Sequence, residues 1–360
     1  MADGVEVVVQ IAGEDVTAGR LWSHRRHTAE SATFAYLDTY LALPDAYALD
    51  PSLPLRAGQH QTPGERAMFG AFSDCAPDRW GRRLIARNEH ARANREGDAA
   101  RSFGEMEYLL GARDDARQGA LRFRTAESDA YLAPESEGVP PLVDLPVLLS
   151  AADHLDRDEA NEEELQLLLR GGSSLGGARP KAHVIDGDGG LAIAKFPSPS
   201  NDAWDVIRWE AVALRLARDA GMEVPDWTLE TIDGKAVLVI DRFDRDGDWR
   251  VGYVSAMTML ELRDGDRASY LDIAEVIEAE SPCAGDDLRE LWRRIVFTVM
   301  ISNTDDHLRN HGFLRANQGG WMLSPAFDIN PDPRPGPTRL STAIDGSNAT
   351  ASVDLSLIHI

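Results

Sequence analysis

The sequence predicts an α+β chain in three parts: an N-terminal α+β domain, a small β-rich lobe and a helical lobe. Three observations carry this reading. Val5 to Ile11 alternates loosely and is rich in Val, the pattern of a strand. Short apolar runs recur between residues 181 and 241 with one helical stretch among them. From about Ser255 onward the helical period dominates.

Taken in order, Thr33 to Leu41 is expected as a second strand. Glu65 to Cys75 and Pro77 to Arg92 carry helical spacing, and Pro77 suits a first turn because its missing N–H costs little there. Residues 1–125 thus form the first domain. Residues 126–146 are rich in Glu, Ser, Pro and Gly, punctuated by Pro134, Pro140, Pro141 and Pro146, and read as a linker. Two short helices should end at Gly171 and Gly172. Strands are expected at Lys181–Ile185, Leu191–Phe196, Trp227–Ile232 and Lys235–Asp241, with a helix from Trp204 to Asp219, so that the small lobe spans 147–250. The helical lobe spans 251–360. In it, Leu288, Leu291, Trp292, Ile295 and Val299 form one stripe of a helix over Asp286–Ile301.

The composition excludes several classes. The net charge of −23 argues against direct, extensive nucleic-acid binding, which needs clustered Lys and Arg to displace counterions. No stretch approaches the roughly 20 apolar residues of a membrane span, and Met1 to Glu6 does not begin a signal peptide. Cys75 and Cys283 are too few for a disulfide framework or a four-cysteine zinc site, so a reducing cytoplasm is the expected compartment.

The expected helix delivers the chain into Asn303-Thr304-Asp305-Asp306-His307-Leu308-Arg309-Asn310-His311-Gly312. Asp305 and Asn310 are five residues apart, and Asp328 follows beyond an apparent hairpin of His311 to Leu314 and Trp321 to Ser324. This is the order in which phosphoryl-transfer enzymes of the protein-kinase type place a hydroxyl-orienting Asp, a metal-binding Asn and a metal-binding Asp. Carboxylate and amide oxygens are hard ligands suited to Mg²⁺. Each cluster alone also fits ordinary turn chemistry. His307 and His311, at i and i+4, offer a zinc alternative, against which Gly312 and the missing intervening Glu weigh.

Upstream lies Gly171-Gly172-Ser173-Ser174-Leu175-Gly176-Gly177-Ala178-Arg179-Pro180-Lys181, whose glycines would let backbone N–H groups approach phosphate oxygens, with Lys181 adding a charge. Lys195 ends an apolar strand, as a nucleotide-contacting strand lysine does. Ile207, Glu210, Ala211 and Leu214 share one helix face, so Glu210 points inward, where an unpaired carboxylate is costly; pairing with Lys195 would remove that cost. Ala236 to Arg245 runs from an apolar strand into a charged loop, suiting a hinge that includes Ile240, Arg242 and Phe243.

These segments together resemble the HipA family: Ser174 to Lys181, Lys195, Ile240 to Arg245, Thr304 to Asn310 and Phe327-Asp328-Ile329. So does the N-terminal Phe72-Ser-Asp-Cys-Ala-Pro-Asp-Arg-Trp-Gly-Arg-Arg-Leu84. The family comprises bacterial serine/threonine kinases acting as toxins of type II toxin–antitoxin systems. The resemblance implies a protein-kinase-like two-lobed core, with ATP and Mg²⁺ as cofactors. It implies Asp305 as catalytic base and Asn310 and Asp328 as Mg²⁺ ligands. Lys181 and Lys195 would contact ATP phosphates within a site that includes Ser174, Gly176, Gly177 and Glu210, and Ile240 to Phe243 would lie beside the adenine. Ser174 would be the inhibitory autophosphorylation site. The implied partners are a small DNA-binding antitoxin (HipB-like), with DNA reached only through it, and a protein substrate such as an aminoacyl-tRNA synthetase. Two departures stand out: Cys75-Ala76 replaces a Ser-Leu pair, and Asp306 adds a second carboxylate beside the base. The family continues with helices past Ala343 to Gly346, so the helical lobe is expected to be incomplete here. A non-catalytic module that binds antitoxin or nucleotide only is the alternative function. A small-molecule kinase is a weaker one, because residues 1–125 fit the toxin family.

Overall fold

The computed structural model describes residues 4–11, 13–26, 29–132, 139–172, 179–317, 319–333, 338–346 and 350–351. The chain divides into two compact units: residues 1–203 with 228–253, and residues 204–227 with 254–360.

The first unit opens with an antiparallel sheet of order β4-β3-β2-β1-β5, built from β1 (Val5–Ile11), β2 (Glu14–Arg26), β3 (Ala29–Tyr36), β4 (Gln59–Gln61) and β5 (Arg122–Arg124). The alternation in β1 is loose because its register shifts between Val7 and Val8, and Val7, Val8 and Val9 are all buried. The expected strand over Thr33 to Leu41 stops at Tyr36, and a helical turn, α1 (Asp38–Leu41), follows. That turn stacks Tyr36 on Tyr40 at 5.6 Å, while their hydroxyls donate to Leu53 O and Tyr47 O. Of Glu65 to Cys75 only α2 (Gly70–Asp74) is helical; its Ala71 N–H is held at 2.7 Å by the distant carboxylate of Asp50. The next helix, α3 (Arg79–Glu96), starts two residues after Pro77. Asp78 is its N-cap, accepting from Gly81 N at 2.6 Å, and Asp outcompetes Pro for the helix start by satisfying an orphan donor.

After α4 (Glu105–Gly111) the chain reaches α5 (Leu145–Asp156), which begins inside the expected linker with Pro146 in its first turn, and α6 (Glu162–Arg170). The four expected strands of the small lobe form: β6 (Lys181–Ile185), β7 (Leu191–Lys195), β8 (Trp227–Ile232) and β9 (Lys235–Asp241), in the order β6-β7-β9-β8. A short ribbon, β10 (Arg245–Asp246) with β11 (Trp249–Arg250), follows. One core joins this sheet to the helices: Trp80 and Leu84 of α3, Leu148, Leu149 and Leu155 of α5 and Leu165 and Leu168 of α6 pack with Ala182, Val184, Ala192, Ala194, Val237 and Val239. The N-terminal region and the small sheet therefore share apolar burial, at roughly 25 cal/mol per Å².

The second unit holds α7 (Val206–Asp219), expected in the small lobe, together with α8 (Ala256–Met259), α9 (Tyr270–Glu280) and α10 (Ala284–Met300). A three-stranded sheet, β12 (Tyr253–Ser255), β13 (Gly312–Arg315) and β14 (Trp321–Leu323), accompanies them. Helix α10 sits where expected, and its inward face is wider than the expected stripe on one side and narrower on the other, since Trp292 is 44% exposed. Leu291 and Val299 of the expected stripe are buried, together with Phe297, and the polar Asp287, Glu290, Arg294 and Thr298 share that inward face. No helix among the described residues is long and apolar enough to cross a membrane.

Candidate active site

The segment after α10 is shaped by the helix end. Ser302 adopts left-handed backbone (φ 54°), Asn303 N donates to Thr298 O at 2.9 Å and Ser302 N to Val299 O at 3.2 Å. This is the paired hydrogen-bond pattern that closes a helix C-terminus. It turns the chain out of the helix within two residues, directly into Asp305.

Asp305 is exposed, and the residues on either side of it are held. Thr304 O accepts from Ser341 N at 3.1 Å and Ser341 Oγ at 2.7 Å. Asp306 O accepts from Thr342 Oγ1 at 2.7 Å. The Asp306 side chain is buried, and its Oδ2 accepts from Tyr270 Oη at 2.5 Å, His311 Nε2 at 3.2 Å and Thr298 Oγ1 at 3.3 Å. Burial would raise the Asp306 pKa, but attraction from His311 and the three hydrogen bonds hold it below the ordinary carboxylate value. Burial, then the Asp306 charge, pushes the Tyr270 phenol well above its usual range, so it donates and Asp306 accepts.

Asn310 is buried in a 3₁₀ turn, Leu308–Asn310, and its Nδ2 donates to Asp305 O at 3.2 Å. That contact uses the amide nitrogen of the side chain. The expected hairpin forms, with Phe313 opposite Leu323, and Ser324 N donates to Gly312 O at 2.8 Å. Asn310 precedes Gly312 and Asp328 follows Ser324, so both leave the same end of the hairpin. The polar face of α10 fixes that end: Arg294 donates to Ser324 O at 2.6 Å and to Glu290 at 2.9 Å, and Asp287 accepts from Leu323 N at 3.0 Å. Asp328 has φ 57°, a left-handed backbone uncommon for a residue other than glycine, and its Oδ1 accepts from Asn330 Nδ2 at 3.3 Å. His307 and His311 flank the 3₁₀ turn rather than one α-helical face, and His311 Nε2 is engaged by Asp306. Among the described residues no three His, Cys, Asp or Glu side chains gather as a metal site.

The other site residues lie in the first unit, apart from Glu210. Lys195 ends β7 between Lys181 of β6 and Leu238 of β9. Glu210 is 2% exposed on the buried face of α7, as its spacing predicts, and belongs to the second unit, whereas Lys195 belongs to the first. Lys181 has a structural partner: its Nζ is ion-paired to Asp78 Oδ2 at 2.7 Å with both side chains buried, and its carbonyl accepts the Trp80 indole N–H at 3.1 Å. One Asp78 carboxylate thus caps α3 and neutralises Lys181. Lys181→Met is expected to lower stability by about 3–5 kcal/mol, because it strands a buried carboxylate. Urea denaturation checks this; an unchanged midpoint would contradict the structural role.

Arg242, in the segment expected beside the adenine, points its guanidinium into a buried cluster. It donates to Asp244 Oδ1 at 2.6 Å, Ala116 O at 3.0 Å and His183 Nε2 at 2.8 Å. Burial and the Arg242 charge push His183 well below its usual pKa, so it is neutral, accepting at Nε2 and donating from Nδ1 to Gly171 O at 2.8 Å. A Cβ on Gly172 (φ 70°) would lie 2.7 Å from Ala116 Cβ, so this glycine is required by packing. Ile240 is buried, and Phe243 is half-buried at 6.4 Å from Tyr253. Ser174, Gly176 and Gly177 lie outside the described residues. Sequence reasoning missed Tyr270, Thr298, Ser341 and Thr342, none of which stands in a local pattern that announces its partner, and Asp244, which stands between its partners Arg242 and Arg245.

Residues 173–358 match the HipA-like C-terminal domain and residues 9–106 the HipA N-terminal domain. Among curated relatives, "Putative kinase Y4dM" of Sinorhizobium fredii (strain NBRC 101917 / NGR234) is 30% identical over 159 residues, 40% of this chain. The chain spans only 38% of that protein's length. "Putative kinase Y4mE" of the same strain is 25% identical over 325 residues, covering 82% of this chain and 71% of that protein. The HipA chain solved with HipB and operator DNA from Shewanella oneidensis MR-1 superposes with a TM-score of 0.64 at 16% identity, over 95% of this chain and 80% of that one, which shows a shared fold. With its C-terminal domain match covering more than half of the sequence and the N-terminal domain match preceding it, this chain belongs to the HipA family.

Proposed function

We propose that this chain is an ATP-dependent serine/threonine protein kinase that acts as a toxin and is regulated by autophosphorylation and by a DNA-binding antitoxin. The observation that supports it best is the exposed Asp305 held between two anchored residues. Asp305 would orient the attacking hydroxyl and take its proton. Asn310 Oδ1 and the Asp328 carboxylate are a hard-oxygen donor pair that fits Mg²⁺, which when bound supplies charge neutralisation on the phosphates. Lys195 would contact the phosphates. Ser174 would be the autophosphorylated residue, its phosphate adding roughly two negative charges to the glycine-rich segment. The Shewanella protein was solved with HipB and operator DNA; with a net charge of −23 this chain would reach DNA only through such a partner. The substrate class is a protein hydroxyl, an aminoacyl-tRNA synthetase being one candidate.

Calorimetry with ATP, followed by incubation with γ-labelled ATP, tests this. The expected result is binding and label transfer to Ser174, with the transfer stopped by a chelator. Binding with no transfer to any acceptor would overturn the kinase reading in favour of a nucleotide-binding module.

A further inference from the structure

Asp306 is the departure from the family pattern with no role in the proposed chemistry, and its carboxylate accepts three hydrogen bonds. Three donors from three places converge on one buried oxygen: Tyr270 at the start of α9, Thr298 near the end of α10 and His311 at the far end of the loop. Tyr270 is fully buried, its own N–H donates to Ala343 O at 2.8 Å, and its ring meets the His311 ring edge-on at 5.6 Å. His311 O in turn accepts from Ala256 N at 2.7 Å. The Asp306 carbonyl is held by Thr342, and Ser341 holds Thr304 on the other side of Asp305.

We propose that Asp306 is a positioning residue for Asp305, its buried carboxylate tying the loop of residues 303–311 to α9 and α10 through Tyr270, Thr298 and His311. This rests on the kinase reading for the part played by Asp305. Charge-assisted hydrogen bonds to a buried carboxylate are stronger and more directional than neutral ones. A carboxylate already accepting three internal donors at one oxygen is an anchor rather than a metal ligand. With Asp306 fixed, the backbone of Asp305, the next residue back along the chain, is fixed too.

The test uses the full chain carrying Asp306→Asn or Tyr270→Phe, both of nearly unchanged volume, so that folding is retained. Both variants should speed amide hydrogen exchange across residues 303–311 relative to the rest of the protein. Both should also lower the maximal autophosphorylation rate roughly 10–100-fold, the range expected when a reacting group is misplaced by about 1 Å. The half-saturating ATP concentration should rise by less than the maximal rate falls, since the loop also carries Asn310 but the misplaced group, Asp305, acts in the transition state. Unchanged exchange in this loop overturns the proposal, and so does faster exchange with an unchanged maximal rate. If the wild-type chain transfers no phosphate, the kinase reading itself fails; that outcome is separate from an active wild type whose rate is indifferent to Asp306.

Discussion

Asp305→Asn should slow phosphoryl transfer by about 10²–10⁴-fold, the usual contribution of a positioned general base. The amide keeps the size of the carboxylate but cannot take the proton from the attacking hydroxyl. Because Asp305 is exposed, the change should leave stability within about 0.5 kcal/mol. ATP affinity should hold, since the proposed Mg²⁺ ligands Asn310 and Asp328 remain. Single-turnover labelling at saturating Mg-ATP, with thermal melts of both proteins, measures the two effects separately. Full-rate transfer by the Asn variant would remove Asp305 from the proposed role.

Asp244→Ala should lower stability by about 3–5 kcal/mol, because it takes the carboxylate from the buried Arg242 and the largely buried Arg245. Asp244 is 1% exposed and bonds Arg242 through both oxygens, Arg245 at 2.9 Å and Gly119 N at 2.6 Å. Burial alone would raise its pKa, but the Arg242 and Arg245 charges and these bonds hold it well below the ordinary range. A depressed folded pKa means that this stability is fully present above the unfolded value of about 3.9 and is lost as pH falls toward the folded one. Arg245 is itself lowered to about 10, chiefly by burial. Such a loss is a large share of the roughly 5–15 kcal/mol that holds a domain together. Urea titrations at neutral pH should show the midpoint falling; a wild-type midpoint in the alanine variant would contradict the cluster's structural importance.

Much of the fold was legible where one periodicity governs a segment. The strands Val5–Ile11, Lys181–Ile185, Trp227–Ile232 and Lys235–Asp241 occur with the expected bounds. The reading failed where a distant group decides a local outcome. Asp78 rather than Pro77 starts α3, because its carboxylate has both a helix N–H and Lys181 to satisfy. The polar part of the inward face of α10 follows from the same cause: Asp287, Glu290, Arg294 and Thr298 look like solvent residues until their partners at Leu323, Ser324 and Asp306 are known. In the candidate site, the spacing of Asp305, Asn310 and Asp328 was visible because one loop and one hairpin carry all three. The pairing of Lys181 with Asp78 was not legible because that carboxylate lies far along the chain, and neither was the burial of Arg242, because His183 and Ala116 O, which complete its cluster with the nearby Asp244, are distant.

The central claim is tested most directly by mapping phosphate on the wild-type chain after incubation with Mg-ATP, with the Asp305→Asn chain alongside. The account predicts phosphate on Ser174 of the wild type and none on the variant over the same interval. Equal phosphate on both chains would contradict it, as would a wild-type chain that binds ATP yet stays unmodified and modifies no protein substrate.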